Sequence, residues 1–354
     1  MLVTVTGGTG FVGAHSIAEI VRKGHRVRLL VRDEARVARA LAPLGVDRSA
    51  AEIVRGDVTA AADVARAVRG AGAVLHAASV YSFDSRDRAR VRRTNAPGTA
   101  VVLEAAAREG VERIVHVSTV AALFPSRREP LRADSPVGTP RETYMRSKAD
   151  AERIARDWQD RGAPVVITYP PALLGPHDPR LGDQSARLRA LLRGRMPLWP
   201  SGGFPLGDVR DTAMLHAALL DHGGDAPGRV FGPSRYLSTR QYVAAVRAVT
   251  GRALPAVFLP ARAMLPAGLA TDLVQRACPW HLPAEYGAIY TCACATRVAD
   301  DAGTGGFEPR PVKETVADAV RWLRSAGLLT ARQAGRLARS APASEHAAAG
   351  KGNR

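Results

Sequence analysis

Lysine is scarce in this chain: only four of its 50 basic residues are lysines (Lys23, Lys148, Lys313 and Lys351). The arginines are spread along all 354 residues without an unbroken block of like charge. That dispersal argues against a basic tail that neutralises nucleic-acid phosphates, in spite of a formal net charge of +17, and no nucleic-acid partner is expected. The positive excess can still steer anionic cofactors toward a cleft. Cysteine is scarce too, and three in a long chain exclude a disulfide framework. Cys278-Pro-Trp-His281 and Cys292-Ala-Cys294 lack the repeated ligand spacing of a zinc site, so buried free thiols and no metal are expected. No apolar run approaches the ~20 residues that cross a bilayer. The most apolar late stretch, 263–274, is interrupted by Pro266 and Asp272, so no membrane partner is expected. Met1-Leu2-Val3-Thr4 enters a strand pattern without a basic leader or apolar core, which predicts a cytoplasmic location. No internal repeat of solenoid period is present.

What is present is an alternation of periods. Apolar strand patterns near 2–6, 26–31, 52–55, 73–77, 112–118 and 164–168 are separated by helical patterns near 11–23, 62–69, 88–108 and 143–161. Strands alternating with crossovers of ten or more residues predict an α/β fold, a Rossmann-type doubly wound parallel sheet. After Tyr169 seven prolines between Pro170 and Pro205 change the texture, and a smaller, discontinuous C-terminal substrate lobe is expected. The expected division is 1–168 for the dinucleotide-binding domain with 207–235 rejoining it, 169–206 and 236–330 for the lobe, and 331–354 as a frayed tail. Helical patterns fall at 183–193, 237–250 and 311–325, and a weak amphipathic pattern at 328–339 could lie on a surface.

Strand 2–6 runs directly into Gly7-Gly8-Thr9-Gly10-Phe11-Val12-Gly13, after which the helical pattern begins. Glycines there allow a tight turn and close backbone approach to a pyrophosphate, and the helix N-terminus offers free N–H groups and positive dipole. The second strand ends Val31-Arg32-Asp33, where an acid would accept from a ribose 2′-hydroxyl and an arginine would meet a 2′-phosphate. Arg32 comes first and Arg36 lies one helical turn on, which favours NADP, with NAD kept as the alternative. Asp57 follows the third strand, either as an acceptor for the adenine amino group or as a simple Asx turn.

Tyr144-Met-Arg-Ser-Lys148 sets a phenol and an ammonium one turn apart on one helix face. A phenol is a poor acid/base at neutral pH, and a neighbouring ammonium is expected to lower its pKa toward the working range. Val117-Ser118-Thr119 places a hydroxyl at the carboxyl end of a parallel strand, where ligands of such sheets bind, and Thr119 is preferred to Ser118 as the group on the substrate oxygen.

Together TGGTGFVG, His-Ala-Ala-Ser at 76–79, Asn95 in TNAPGT, Val117-Ser118-Thr119 and YMRSK resemble the extended branch of the short-chain dehydrogenase/reductases, the NAD-dependent epimerase/dehydratase superfamily, over roughly residues 1–325. The likeness is greatest to dihydroflavonol-reductase-like members. It implies a catalytic set of Thr119, Tyr144, Lys148 and Asn95, with Asn95 contributed by the helix that supports the site. The implied cofactor shell is Gly7, Gly10, Phe11, Val12, Gly13, Arg32, Asp57, Val58, Ala77, Tyr144, Lys148 and Pro171. Substrate is expected at Tyr81, Thr119 and Tyr144. The chain departs from the family at Tyr169-Pro170-Pro171, where an Arg-Pro often stands. His76 is read as structural.

The leading expectation is an NAD(P)-dependent oxidoreductase that reduces a ketone, or oxidises a secondary alcohol, on a bulky, mainly apolar small molecule. A nucleotide-sugar epimerase or dehydratase with bound NAD is the alternative, with Arg187, Arg189, Arg193 and Arg195 available for a diphosphate. A non-catalytic dinucleotide-binding protein is the third reading. A homodimer is an open option, and the loops 177–206 and 255–295 should carry the specificity.

Overall fold

The computed structural model describes residues 1–126, 129–221, 227–275, 277, 286–299 and 304–339. Its first half alternates β1 (Leu2–Thr6), α1 (Phe11–Arg22), β2 (Arg26–Val31), α2 (Ala35–Leu41), β3 (Ala51–Arg55), α3 (Ala61–Val68), β4 (Ala73–His76), α4 (Arg88–Glu109), β5 (Arg113–Val117), α5 (Thr143–Asp160) and β6 (Val165–Tyr169). The central strands β1, β4 and β6 are short apolar runs buried on both faces, which is what a sheet covered by helices on each side requires, whereas the edge strand β3 is only partly buried.

The second half contributes β7 (Ala172–Leu174), α6 (Asp183–Leu192), β8 (Leu198–Ser201), β9 (Gly203–Asp208), α7 (Val209–Asp221), β10 (Arg229–Phe231), β11 (Arg235–Ser238), α8 (Thr239–Thr250), β12 (Val257–Pro260), α9 (Ala261–Gln275), α10 (Tyr286–Cys294), α11 (Val312–Ser325) and α12 (Ala331–Ala334). The main sheet has seven parallel strands in the order β10-β6-β5-β4-β1-β2-β3. The order reverses between β1 and β4, and the crevice outside the carboxyl ends of the strands at such a reversal is where doubly wound sheets bind ligands.

Two apolar layers cover the sheet, one with Val3, Ile17 and Leu29 and the other with Val74, Leu103 and Ile114. Burying a side chain such as Ile17 contributes about 2–3 kcal/mol. A third cluster, around Trp199, Tyr242 and Val320, forms the lobe, with the small sheets β11-β9-β7 and β12-β8. Residues 331–339 differ from the expected frayed tail. A Thr330–Gln333 capping box starts α12, Ala334 and Leu337 are buried in the lobe cluster, and Arg336 donates to the Val249 carbonyl at 2.8 Å. Residues 340–354 and the Cys278 and His281 positions lie outside the described residues.

Candidate active site

The glycine loop leaves β1 at the reversal point. Gly7 has φ +78°, and a Cβ there would stand 2.6 Å from the Ala77 backbone. A Cβ on Gly13 would lie 2.3 Å from the Gly7 carbonyl oxygen, so backbone packs on backbone where helix meets strand. Gly10 precedes α1 as an N-cap without a side-chain hydrogen bond, which leaves the first-turn N–H groups for a ligand. Gly7, Gly10, Phe11, Val12, Gly13, Ala77, Lys148 and Pro171 all line one cavity of about 320 Å³. An uncapped helix start behind a loop of glycines broken only by Thr9 is a fit for a dinucleotide pyrophosphate.

A second cavity of about 130 Å³ continues from the loop toward β2 and is lined by Arg32, Asp33, Arg36, Gly56, Val58 and Arg180. Arg180, in the loop after β7, reaches back to donate to Thr9 Oγ1 at 3.3 Å. Burial lowers the pKa of its guanidinium, and Arg36, Arg32 and Arg90 lower it further. Several cations thus crowd one small site, which favours an anion there. Asp57 does not line this cavity. Its carboxylate accepts from the Thr59 amide at 2.9 Å and the Thr59 hydroxyl at 2.7 Å, the turn alternative. Burial opposes its ionisation, but the Thr59 bonds and Arg32, 3.7 Å away, hold its pKa low.

Tyr144 and Lys148 sit in the first turns of α5, whose start is capped by Glu142 accepting from the Tyr144 and Met145 amides at 2.9 and 2.8 Å. Lys148 Nζ donates to the Val117 carbonyl at 2.8 Å, tying helix to strand beside Thr119. Burial depresses the Lys148 ammonium to about 8, with Glu152 pulling the other way. Tyr144 differs from expectation. Burial is the main influence on its pKa, Glu142 and Asp183 add to it, and the phenol is pushed up rather than down, so it stays protonated at neutral pH. The ring packs edge-on against Tyr81 and Phe83, at centroid distances of 4.7 and 5.6 Å.

Thr119 lines the cavity, and its hydroxyl caps the following turn by accepting from the Ala121 amide at 3.3 Å. Ser118 lines it as well, with a buried oxygen that has no hydrogen-bond partner. Asn95 does not line the cavity, which makes it a positioning residue. It accepts from the Val80 amide at 2.7 Å and donates to the Val80 carbonyl and to Ser147 Oγ, at 3.1 and 2.9 Å. Ser147 in turn donates to the Tyr144 carbonyl at 2.7 Å, so Asn95 clamps the loop after β4 to the Tyr144 turn. His76 is structural, bridging Thr6 and Thr99 at 2.8 and 3.1 Å.

The lobe closes the cavity with Asp183, Gln184, Arg187, Phe204, Ala288, Thr291 and Cys292. Of the four arginines available for a diphosphate only Arg187 lines the cavity, and Arg193 instead holds the Leu328 carbonyl at 2.8 Å. Burial raises the thiol pKa of Cys292 to about 11 and of Cys294 to about 12, which leaves both protonated. Among the described residues no cluster of metal-ligating side chains occurs, and no helix is long and apolar enough to cross a membrane. Arg180, Asp183 and Gln184 carried no signal in the sequence, because chain reversals after β7 bring them in. Glu142 was missed as well, because glutamate is not a favoured N-cap residue and its capping role shows only in the structure.

Residues 3–231 match the family model of the NAD dependent epimerase/dehydratase family, and the chain belongs to that family. It is an enzyme of the extended short-chain dehydrogenase/reductase type. A "Putative dihydroflavonol 4-reductase" of Synechocystis is 29% identical, over 91% of this chain and 94% of the relative. "Sterol demethylase protein B" of Methylococcus capsulatus is 28% identical, over 93% and 100%. The crystal structure of gox2253 is 27% identical with a TM-score of 0.75, over 93% and 99% of the two chains. A UDP-glucose-4-epimerase from Stenotrophomonas maltophila, 18% identical with a TM-score of 0.73 over 93% and 99%, shares the fold.

Proposed function

We propose that the chain reduces a ketone, or in reverse oxidises a secondary alcohol, on a bulky, mainly apolar small molecule, with NADPH as its cofactor. One observation carries this reading. A single cavity brings the glycine loop, Thr119, Tyr144 and Lys148 together with the apolar walls Phe83, Phe124, Phe204 and Ala288. The first turn of α1 would hold the pyrophosphate, and Arg32, Arg36 and Arg180 a ribose 2′-phosphate. The cofactor, when bound, supplies the hydride.

The chain's own residues manage the oxygen. Thr119 donates a hydrogen bond to the carbonyl, and Tyr144 gives its phenolic proton to the same oxygen as negative charge develops there. The phenol is protonated at neutral pH, and the burial that raises its pKa makes it a weaker acid, so proton delivery depends on stabilising the phenolate as it forms. Lys148, anchored at the Val117 carbonyl, stabilises the phenolate left behind. Phe83, Phe124 and Phe204 line the cavity beside these groups, and with substrate bound they would exclude water from the reacting atoms.

A panel of bulky apolar ketones, with nucleotide sugars as comparison, followed by NADPH absorbance tests the reading. Tyr144→Phe should lower kcat by at least about 100-fold while NADPH affinity by calorimetry holds within about threefold. Ketone turnover at the wild-type rate in the Phe variant would refute the acid role, and turnover of nucleotide sugars alone would refute the substrate class.

A further inference from the structure

Helix α9 is built inside out. Its inward positions include Gly268, Asp272 and Gln275, whereas Leu269, Leu273 and Val274 are 53%, 66% and 52% exposed. Asp272 is taken up by the fold: its carboxylate meets Arg88 at 2.6 Å and its carbonyl accepts from Ser85 Oγ at 2.8 Å. A surface helix of a water-soluble protein normally turns its polar stripe outward, so this reversal calls for a partner. The exposure is also concentrated. Nine large hydrophobic residues are exposed among the described residues, and six of them lie on α9 or on the β12-β8 sheet beside it, the other three of the six being Leu198, Val257 and Leu259.

Charge at the edge of this face identifies the partner. The segment Asp84–Arg93, docked on α9 through Ser85 and Arg88, carries five arginines: Arg86, Arg88 and Arg90 pair with Asp84, Asp272 and Asp87, and the exposed Arg92 and Arg93 give the rim its net positive charge. Arg262 is exposed in the first turn of α9, and the helix presents no acid outward because its one acid, Asp272, is buried. Apolar face plus basic rim is the pattern of an interfacial helix on an anionic bilayer. A second copy of the chain would bring the same arginines face to face across a two-fold axis, on a protein already at +17.

We propose that α9, with the adjoining β12-β8 edge and the Asp84–Arg93 rim, is a docking surface for an anionic phospholipid bilayer. The helix lies in the headgroup plane with Leu269, Leu273 and Val274 in the acyl boundary. This revises the expectation of no membrane partner without invoking a span. The docking does not depend on the proposed reaction, although α10, packed on α9, supplies Ala288, Thr291 and Cys292 to the cavity wall.

Vesicle flotation of the full chain tests it, with phosphatidylcholine alone against phosphatidylcholine containing one third phosphatidylglycerol. The chain should float with the anionic vesicles, remain in solution with the neutral ones, and be released as salt shortens the screening length. Leu269→Glu/Leu273→Glu, both on the surface, should cut the bound fraction by at least about tenfold with NADPH binding unchanged. Arg86→Glu should weaken binding to the anionic vesicles in the same direction. Equal behaviour toward both vesicle types, or flotation untouched by the double leucine variant, would overturn the proposal. So would a dimer seen by light scattering that the double variant dissociates while no vesicle binding occurs.

Discussion

Four histidines are locked in the interior in their neutral form, and together they should make the protein sharply acid-sensitive. His76, His116 and His216 are at most 2% exposed and His15 5%. Burial drives His76 and His216 down to about 3, His15 to about 4, and His116 well below its ordinary value, with Lys148 adding to the effect at His76 and His116. His216 bridges Ser16 and Thr168 at 2.9 and 3.1 Å, and His116 stacks on His76 at 5.4 Å with neither ring nitrogen hydrogen-bonded. The folded pKa lies below the unfolded value of about 6.5 in each case, so as pH falls through 6.5 the unfolded chain takes up protons first. Stability is therefore full above 6.5 and declines toward the folded pKa values. At pH 5 His15, His76 and His216 cost about 2 kcal/mol each and about 6 kcal/mol together, with His116 acting in the same direction, a total comparable with the whole stability of an ordinary domain. Burial raises the Glu142 pKa, which offsets a small part. Urea unfolding followed by circular dichroism at pH 7 and pH 5 measures the difference. A loss below about 2 kcal/mol would refute the assignment of four buried neutral imidazoles. His216→Gln should reduce the pH slope by one proton's worth.

Three further outcomes are expected. Arg180→Ala should raise the KM for NADPH by about tenfold or more and leave that for NADH within about twofold, as steady-state kinetics would show. Because Lys148 titrates at about 8, kcat/KM should fall as pH rises through that value, and a profile flat to pH 9.5 would contradict the depressed ammonium. Asn95→Leu removes the link from Val80 to Ser147. Its kcat should fall about tenfold with little change in NADPH affinity, while the Asp variant, which keeps the Val80 amide bond, should recover part of the rate.

The sequence by itself determined what is local or periodic. The six strands through β6 and helices α1, α3, α4 and α5 were legible to within a residue or two, because apolar runs and helical periodicity are written in the chain, whereas the short, arginine-rich α2 was not expected. The glycine loop was legible because only Gly tolerates a Cβ-free approach at positions 7 and 13. Tyr144 and Lys148 were legible because they share one helix face four residues apart. Tertiary structure decided what depends on dielectric and distant chain. Proximity on α5 suggested that Lys148 would lower the Tyr144 pKa, but burial against Tyr81 and Phe83 and the neighbouring Glu142 and Asp183 carboxylates raise it. Arg180 reaches Thr9 across 171 positions of sequence, and no periodicity encodes a loop contact of that kind. The same holds for α9: its composition was visible, but the outward turn of its leucines follows from the burial of Asp272 against Arg88, a pairing across 184 positions.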